Sequence, residues 1–136
     1  MCIFKALYRR RKYKREKARI GNLKLNLIVA DTFVKKAIGL MYRKSIGRSE
    51  GMLFKFGRDG YNGIWMRNML FSIDIIWLDR EGKIVDYVED AKPCRKTFGC
   101  EVYKPRFKAR YIVEVNSGFV KKSNVKIGDR FIFSSE

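Results

Sequence analysis

The stretch IDIIWLDREGKIVDYV, residues 73–88, predicts two adjacent β-strands joined by a tight turn. Its first part, residues 73–78, is apolar at nearly every position, which is typical of a strand covered on both faces. The segment DREG, residues 79–82, then turns the chain, and Gly82 stands where a hairpin loop needs a positive φ. Residues 84–88 return as the second strand. We therefore expect a β-sheet with a strand that is buried on both sides.

Short apolar runs on either side of this hairpin extend the sheet. Five further strands are predicted from period-two or apolar runs over residues 23–29, 52–56, 64–66, 107–115 and 130–133. One short helix is predicted over residues 32–43, near the N-terminus, because Asp31 and Thr32 precede apolar residues at helical spacing. Strands outnumber helices and rarely alternate with them. We therefore expect a mainly β (α+β) domain, a compact antiparallel or mixed β-sandwich or barrel-like fold of about seven strands.

The charge is concentrated at the N-terminus. The 136 residues contain 31 Lys and Arg against 14 Asp and Glu, a formal net charge of +17, and residues 1–20 hold nine of the basic residues with one acidic residue. A block of like charge cannot bury enough apolar area to fold, so residues 1–21 are predicted to be a basic, disordered tail. Residues 22–136 are then a single β-rich domain. Two alternatives remain open: the tail docks on an anionic surface, or the natural start lies further upstream.

The composition excludes several classes of function. Without histidine there is no Ser-His-Asp triad or HExxH zinc motif, and three cysteines alone cannot fill a four-ligand zinc site. Phosphate-binding and nucleophile-elbow motifs are also missing. The sequence thus predicts no cofactor and no metal, and it argues against an enzyme. Cys94 and Cys100 are interpreted either as a disulfide that staples a loop or as two plain thiols.

The expected location is the cytoplasm. The apolar residues precede the basic run, which is the reverse of a secretory signal, and no apolar run is long enough to span a membrane. The basic tail offers a route to peripheral membrane association. Abundant Lys and Arg with no glutamine favour a prokaryotic, thermophilic archaeal host.

A series of ordered motifs resembles a known family. The motifs are GLMYR at 39–43, GMLF at 51–54, WMRN at 65–68, SIDIIWLD at 72–79, YIVEV at 111–115 and IGD at 127–129. Together they are similar to uncharacterised protein family 127, the domain-of-unknown-function 192 group, over residues 23–133. The resemblance implies a compact β-rich domain of bacteria and archaea, and it supplies no catalytic residues. Family members usually have Pro-Leu-Asp where this chain has Ser72-Ile73-Asp74. Many bacterial relatives also begin with a secretory signal, which is not predicted for this chain, so a periplasmic function is not transferred to it.

Asp74 is the centre of the main site hypothesis. It shares a strand face with apolar residues, and a buried carboxylate must be paired or hydrogen-bonded. The candidate partners are Arg43, Arg67 and Asn68. One interpretation is a buried ion pair or clamp that fixes the turn at residues 65–68, and this interpretation is favoured. The other is a pocket that binds a small molecule through Arg43, Trp65, Arg67, Asn68 and Asp74.

A second hypothesis concerns a row of basic residues. Arg106, Lys108 and Arg110 recur with period two, so in a strand they line one face. Such a row could track a phosphate backbone, although a solvated strand face is the favoured interpretation. The expected function is therefore the binding of an unknown small molecule by a monomer. The alternative is binding of nucleic acid or an anionic surface through the tail and this row.

Overall fold

The computed structural model describes residues 12–134 and shows a mainly β fold. The strands and helices, in chain order, are β1 (Arg15–Ile20), β2 (Leu23–Ala30), α1 (Phe33–Ile38), β3 (Glu50–Gly60), β4 (Ile64–Trp65), β5 (Ile73–Leu78), β6 (Ile84–Ala91), β7 (Val102–Tyr103), β8 (Ala109–Asn116), α2 (Phe119–Ser123) and β9 (Ile132–Ser134). Within the described residues there are nine strands and two helices. The mainly β prediction is confirmed, with two more strands and one more short helix than expected.

Seven strands form one mixed sheet in the order β6-β5-β8-β3-β2-β1-β9. Strands β2 and β3 are parallel, and the other neighbours in this sheet are antiparallel. Strands β4 and β7 form a separate pair. The sheet is open and does not close on itself, so the barrel-like form of the prediction is wrong.

The centre of the sheet is buried on both faces, as the hairpin sequence predicted. All six residues of β5 are buried. Alternate residues enter two different cores: Ile75 and Trp77 pack in the first, whereas Ile76 and Leu78 pack in the second. Successive side chains of a strand point to opposite faces of the sheet. When both faces are covered by other parts of the protein, both sets of side chains must be apolar.

Two glycines mark the ends of predicted elements. Gly82 has a φ of 84°, and a Cβ there would collide with the backbone oxygen of Phe131. Gly39 has a φ of 52° and ends α1, which is therefore shorter than the predicted helix over 32–43. A φ in this left-handed region is unfavourable for residues with a Cβ, and it stops a right-handed helix.

Residues 15–20 belong to the sheet. They form β1, which pairs with β2 and β9 and buries Ala18 and Ile20. This corrects the predicted boundary at residue 21: the basic side chains of β1 alternate with inward-facing apolar ones, so the strand carries both charge and core residues. Residues 1–11 of the predicted tail lie outside the described residues. Between residues 12 and 134, no helix is both long and apolar enough to cross a membrane.

Candidate functional site

A buried carboxylic acid, Glu114, lies in the middle of β8. It stands opposite Met52 on β3 and Ile75 on β5, both of which belong to the first core. Its exposed fraction is 3%, and within residues 12–134 its Oε1 atom has no hydrogen-bond partner. Burial raises the pKa of Glu114 to about 8. At neutral pH the side chain is therefore mostly uncharged, and it can donate as well as accept a hydrogen bond.

Glu114 borders a cavity of about 170 Å³ on the first-core face of the sheet. The other lining residues come from the end of α1 and the segment after it, from β3, and from the region of β4: Lys36, Ala37, Ile38, Gly39, Leu40, Met41, Phe54, Gly63, Ile64, Trp65 and Met69. Most of these side chains are apolar. The wall therefore combines mainly apolar side chains with the neutral acid Glu114 and with Lys36, a mixture that is found in small-molecule sites.

Gly39 brings the backbone close to this acid. A Cβ at position 39 would lie 3.9 Å from Glu114 Oε1 and 3.3 Å from Phe54 Cζ. The absence of a side chain at this position thus keeps the space beside the carboxyl open. Lys36, on the same helix, donates from Nζ to the backbone oxygen of Lys55 and lies over the Phe56 ring at 4.5 Å.

The turn at residues 65–68 adjoins the cavity through Trp65. Trp65 lines it, and the Arg67 guanidinium lies 5.6 Å from the Trp65 ring centre. Asn68 is left-handed, with a φ of 60°, and its backbone oxygen accepts the N–H of Tyr42 at 2.9 Å. Because Asn68 Nδ2 also lies 3.9 Å from the Met41 sulfur, the turn is tied to the segment that carries Met41 into the cavity.

Of the five residues predicted to bind a small molecule, the structure places Trp65 in the cavity wall and Arg67 and Asn68 in the turn beside it. Arg43 lies next to the Tyr13 ring, 5.8 Å from its centre, and does not line the cavity. Asp74 lies on the opposite face of the sheet. The predicted cluster is therefore divided between two faces.

Asp74 is a clamp built on backbone donors. It is fully buried, and its Oδ1 accepts the N–H groups of Asp90 at 2.9 Å and Gly118 at 3.3 Å, while Oδ2 accepts that of Val120 at 2.9 Å. It lies opposite Val115 of β8, on the second-core face. The predicted partners Arg43, Arg67 and Asn68 are thus replaced by three backbone N–H groups, which satisfy a buried carboxylate without a cation.

The predicted basic row is not a continuous strand face. Strand β8 begins at Ala109, after Lys108, and Pro105 in the preceding loop has no N–H for a ladder. Arg106 donates from its backbone N–H and guanidinium to Asp86, and Arg110 donates to Asp59 at 2.9 Å. Both arginines therefore have carboxylate partners, and Lys108 is exposed between them.

Asp86 is the acid that holds the loop at Arg106. Burial by itself would raise its pKa, but the Arg106 guanidinium and two backbone N–H groups outweigh this effect and lower the pKa of Asp86. The backbone donors belong to Arg106, at 2.8 Å, and Tyr87, at 2.9 Å. Asp86 therefore stabilises the position of the loop at Arg106 as a charged hydrogen-bond acceptor.

Sequence reasoning missed Glu114 because it lies in an alternating stretch. Tyr111, Val113 and Val115 define one face, and the other face was interpreted as exposed to solvent. Ile112 was the available signal, since an isoleucine on that face shows that it is covered as well. One other open question has a structural answer, since Cys94 and Cys100 form a disulfide. Among residues 12–134, no group of three or more His, Cys, Asp or Glu side chains is placed to hold a metal ion.

Comparisons with known proteins agree on a family. The DUF192 family, described as "Uncharacterized ACR", matches residues 15–133. A UPF0127 protein of Thermococcus kodakarensis is 34% identical over 113 residues, which are 83% of this chain and 65% of that protein. A UPF0127 protein of Pyrococcus horikoshii is 33% identical over 107 residues, which are 75% of this chain and 82% of that one. The chain spans 61% of the length of a third relative, from Thermococcus gammatolerans.

Two crystal structures have the same fold. A proposed transcription regulator from Sinorhizobium meliloti 1021 superposes with a TM-score of 0.84 and 28% identity, over 90% of this chain and 96% of that one. A protein of unknown function from Novosphingobium aromaticivorans superposes with a TM-score of 0.75 and 23% identity, over 88% of this chain and 84% of that one.

Proposed function

The chain belongs to the DUF192 family of uncharacterised proteins, as its motifs predicted, and we propose that it binds a small neutral molecule in the cavity beside Glu114. The family name carries no activity, so the proposal depends on one observation. A carboxylic acid in the interior of the sheet has an oxygen without a partner among the described residues, and this acid lines a small cavity.

The size of the cavity sets the size of the ligand. Its volume of about 170 Å³ is close to that of apolar cavities, about 150 Å³, that take up benzene. Among the lining side chains, Met41, Phe54 and Met69 are uncharged, and the lysine of the lining, Lys36, donates its ammonium group to the backbone oxygen of Lys55. A single ring or a short branched chain therefore fits, and its apolar part contacts the sulfur and ring atoms of the wall.

The protonation state of Glu114 sets the polar part of the ligand. With a pKa of about 8, the carboxyl carries its proton at neutral pH. A buried polar group without a partner costs about 1–3 kcal/mol. A ligand oxygen that accepts a hydrogen bond from the protonated Glu114 carboxyl group offsets this cost. A cationic ligand would instead require the carboxyl group to lose its proton. The favoured ligand is therefore uncharged, with one hydrogen-bond acceptor and an apolar body.

Three matched probes test this proposal. Cyclohexanone has an acceptor and an apolar ring, methylcyclohexane lacks the acceptor, and cyclohexylamine is cationic at neutral pH. Binding is followed by the NMR shifts of the Trp65 indole and the methionine methyl groups. We expect cyclohexanone to bind best at pH 6–7. Its affinity falls about tenfold by pH 9, because deprotonation of Glu114 removes the donor.

Two substitutions and one control complete the test. Glu114→Gln keeps an N–H donor, so cyclohexanone binding persists and loses its dependence on pH. Glu114→Met removes the donor and is expected to weaken binding about tenfold. Phe98→Ala, at an aromatic residue that is 86% exposed, leaves binding unchanged. Stronger binding of cyclohexylamine than of cyclohexanone, or cyclohexanone binding unaffected by Glu114→Met, would refute the proposal.

A further inference from the structure

A second and larger opening lies at one end of the sheet. Strands β2, β3 and β5 begin at this end, and β8 finishes there, because β8 is antiparallel to both β3 and β5 while β2 is parallel to β3. Together with the loop before β3 and with α2 they enclose about 660 Å³. We call this opening the basic cleft. Its lining residues are Leu23, Lys24, Leu25, Ser45, Arg48, Ser49, Phe71, Ser72, Asn116, Ser117, Phe119, Lys122 and Ser123. It shares none of them with the Glu114 cavity.

The charge of the basic cleft is uncompensated. Lys24, Arg48 and Lys122 line it, and no Asp or Glu does. Several other cations are paired, as Arg106 is with Asp86 and Arg110 is with Asp59. By contrast, none of the three lysine and arginine side chains of the cleft forms an ion pair with the described residues. Like charges that converge on one concave surface raise the local potential and attract anions.

Asp90, the acid that contacts the cleft residue Ser117, is already engaged. Ser117 donates to Asp90 at 2.6 Å, and the other oxygen of Asp90 pairs with Lys92 at 3.0 Å. Four further hydroxyls, those of Ser45, Ser49, Ser72 and Ser123, line the cleft and have no hydrogen bond with the described part of the chain. These hydroxyls are available donors for the oxygens of an anion.

The cleft is a built site. Asn116 Nδ2 donates to the backbone oxygens of Ile46 and Gly47, both at 3.1 Å, and so holds the loop that carries Arg48 against the end of β8. Phe71 packs on the first core, and Phe119 packs on the second core. Two aromatic rings anchored in different cores thus line the same cleft as the three cations. Such rings provide flat apolar surfaces on which a planar group can stack.

We propose that the basic cleft binds an organic phosphate with a planar ring, of the size of a mononucleotide. The three cations and the serine hydroxyls would bind the phosphate, and Phe71 and Phe119 would contact the ring. A space of this volume is within the usual range for small-molecule sites, about 300–1,000 Å³. The ligand differs from that of the Glu114 cavity, which is neutral and smaller, so either proposal can fail without the other.

The test uses AMP as the probe and calorimetric titration of the full chain at low salt. Adenosine lacks the phosphate and ribose 5-phosphate lacks the ring, so each is expected to bind at least about tenfold more weakly than AMP. A twenty-nucleotide single strand of DNA separates a mononucleotide site from a surface for nucleic acid. Equal or weaker binding of AMP relative to ribose 5-phosphate overturns the role of the rings.

Two triple variants with equal charge change separate the cleft from the overall charge. Lys24→Gln/Arg48→Gln/Lys122→Gln removes the cations of the cleft. Arg58→Gln/Lys96→Gln/Lys108→Gln removes three exposed cations elsewhere. The first is expected to weaken AMP binding at least about tenfold, and the second to leave it within about twofold. Equal losses in both variants, or no AMP binding by the unmodified chain, refute the proposal. So does DNA binding that is far tighter than AMP binding and equally sensitive to both variants.

Discussion

Glu114→Gln replaces the buried carboxyl group, which titrates, with an amide of similar shape that does not. In the unfolded chain the pKa of this glutamate is near its ordinary value of 4.5, whereas burial in the folded protein raises it to about 8. Between these two values the folded state holds a proton that the unfolded state has released. The free energy of unfolding therefore decreases as the pH rises from 4.5 to 8, and it is insensitive to this group outside that window.

The size of the effect follows from the two pKa values. Relative to an uncharged side chain, the glutamate lowers the free energy of unfolding by about 3 kcal/mol at pH 7 and by about 1 kcal/mol at pH 5. At pH 7 this decrease in the free energy of unfolding changes little if the pKa in the folded protein is one unit lower, because it is set mainly by the pKa of 4.5 in the unfolded chain. Glu114→Gln should therefore gain about 2 kcal/mol of relative stability between pH 5 and pH 7.

The assay is guanidinium chloride unfolding of both proteins at pH 5, 6, 7 and 8 and constant ionic strength. The measured quantity is the difference in unfolding free energy between the variant and the unmodified chain at each pH. Differences in packing cancel, since they do not depend on pH. Glu89→Gln, at an exposed position of β6, is the control and should show no such trend. A difference for Glu114→Gln that stays constant from pH 5 to pH 7 would refute the burial argument.

Three further predictions concern the clamps of the fold. Asp74→Asn leaves three backbone N–H groups facing an amide in which only one atom can accept a hydrogen bond. Denaturant unfolding should therefore show a free energy of unfolding that is lower by about 3 kcal/mol. A decrease of less than about 1 kcal/mol would contradict the clamp. Arg106→Gln should lower the thermal midpoint at pH 7 and leave it unchanged well below pH 3. The pKa of its partner Asp86 is lowered in the folded protein, so the ion pair stabilises the fold only above that pKa. An equal decrease of the thermal midpoint at both pH values would exclude the pairing. Replacing Cys94 and Cys100 by Ser should cost about 2 kcal/mol through the loss of a short closed loop, and an unchanged denaturant midpoint would show that the disulfide adds nothing.

The central hairpin was predictable because its signals are local. The apolar run from Ile73 to Leu78 identified a strand buried on both faces, and Gly82 identified the turn. The face of Asp74 was also predictable from alternation along β5. Its partners were not, because the donors Asp90, in β6, and Gly118 and Val120, at the start of α2, are distant from Asp74 in sequence.

The candidate site was only partly predictable. The WMRN motif identified Trp65, which lines the cavity, but no pattern placed the end of α1 or Glu114 beside it. The basic row around Arg106 looked continuous in the sequence, yet its two arginines pair with Asp86 and Asp59 from other strands. Ion pairs between strands depend on which strands are neighbours, and period-two spacing does not contain that information.

The sequence by itself determined the mainly β class, the family, the hairpin and the burial of Asp74, because each depends on alternation or on motifs within a few residues. Only the tertiary structure decided that β8 lies between β3 and β5, with a core on each face. That position turns Glu114 from an apparent surface residue into a buried, neutral acid. The physical reason is that removing a carboxyl group from water depends on what covers it, and the covering residues come from distant parts of the chain.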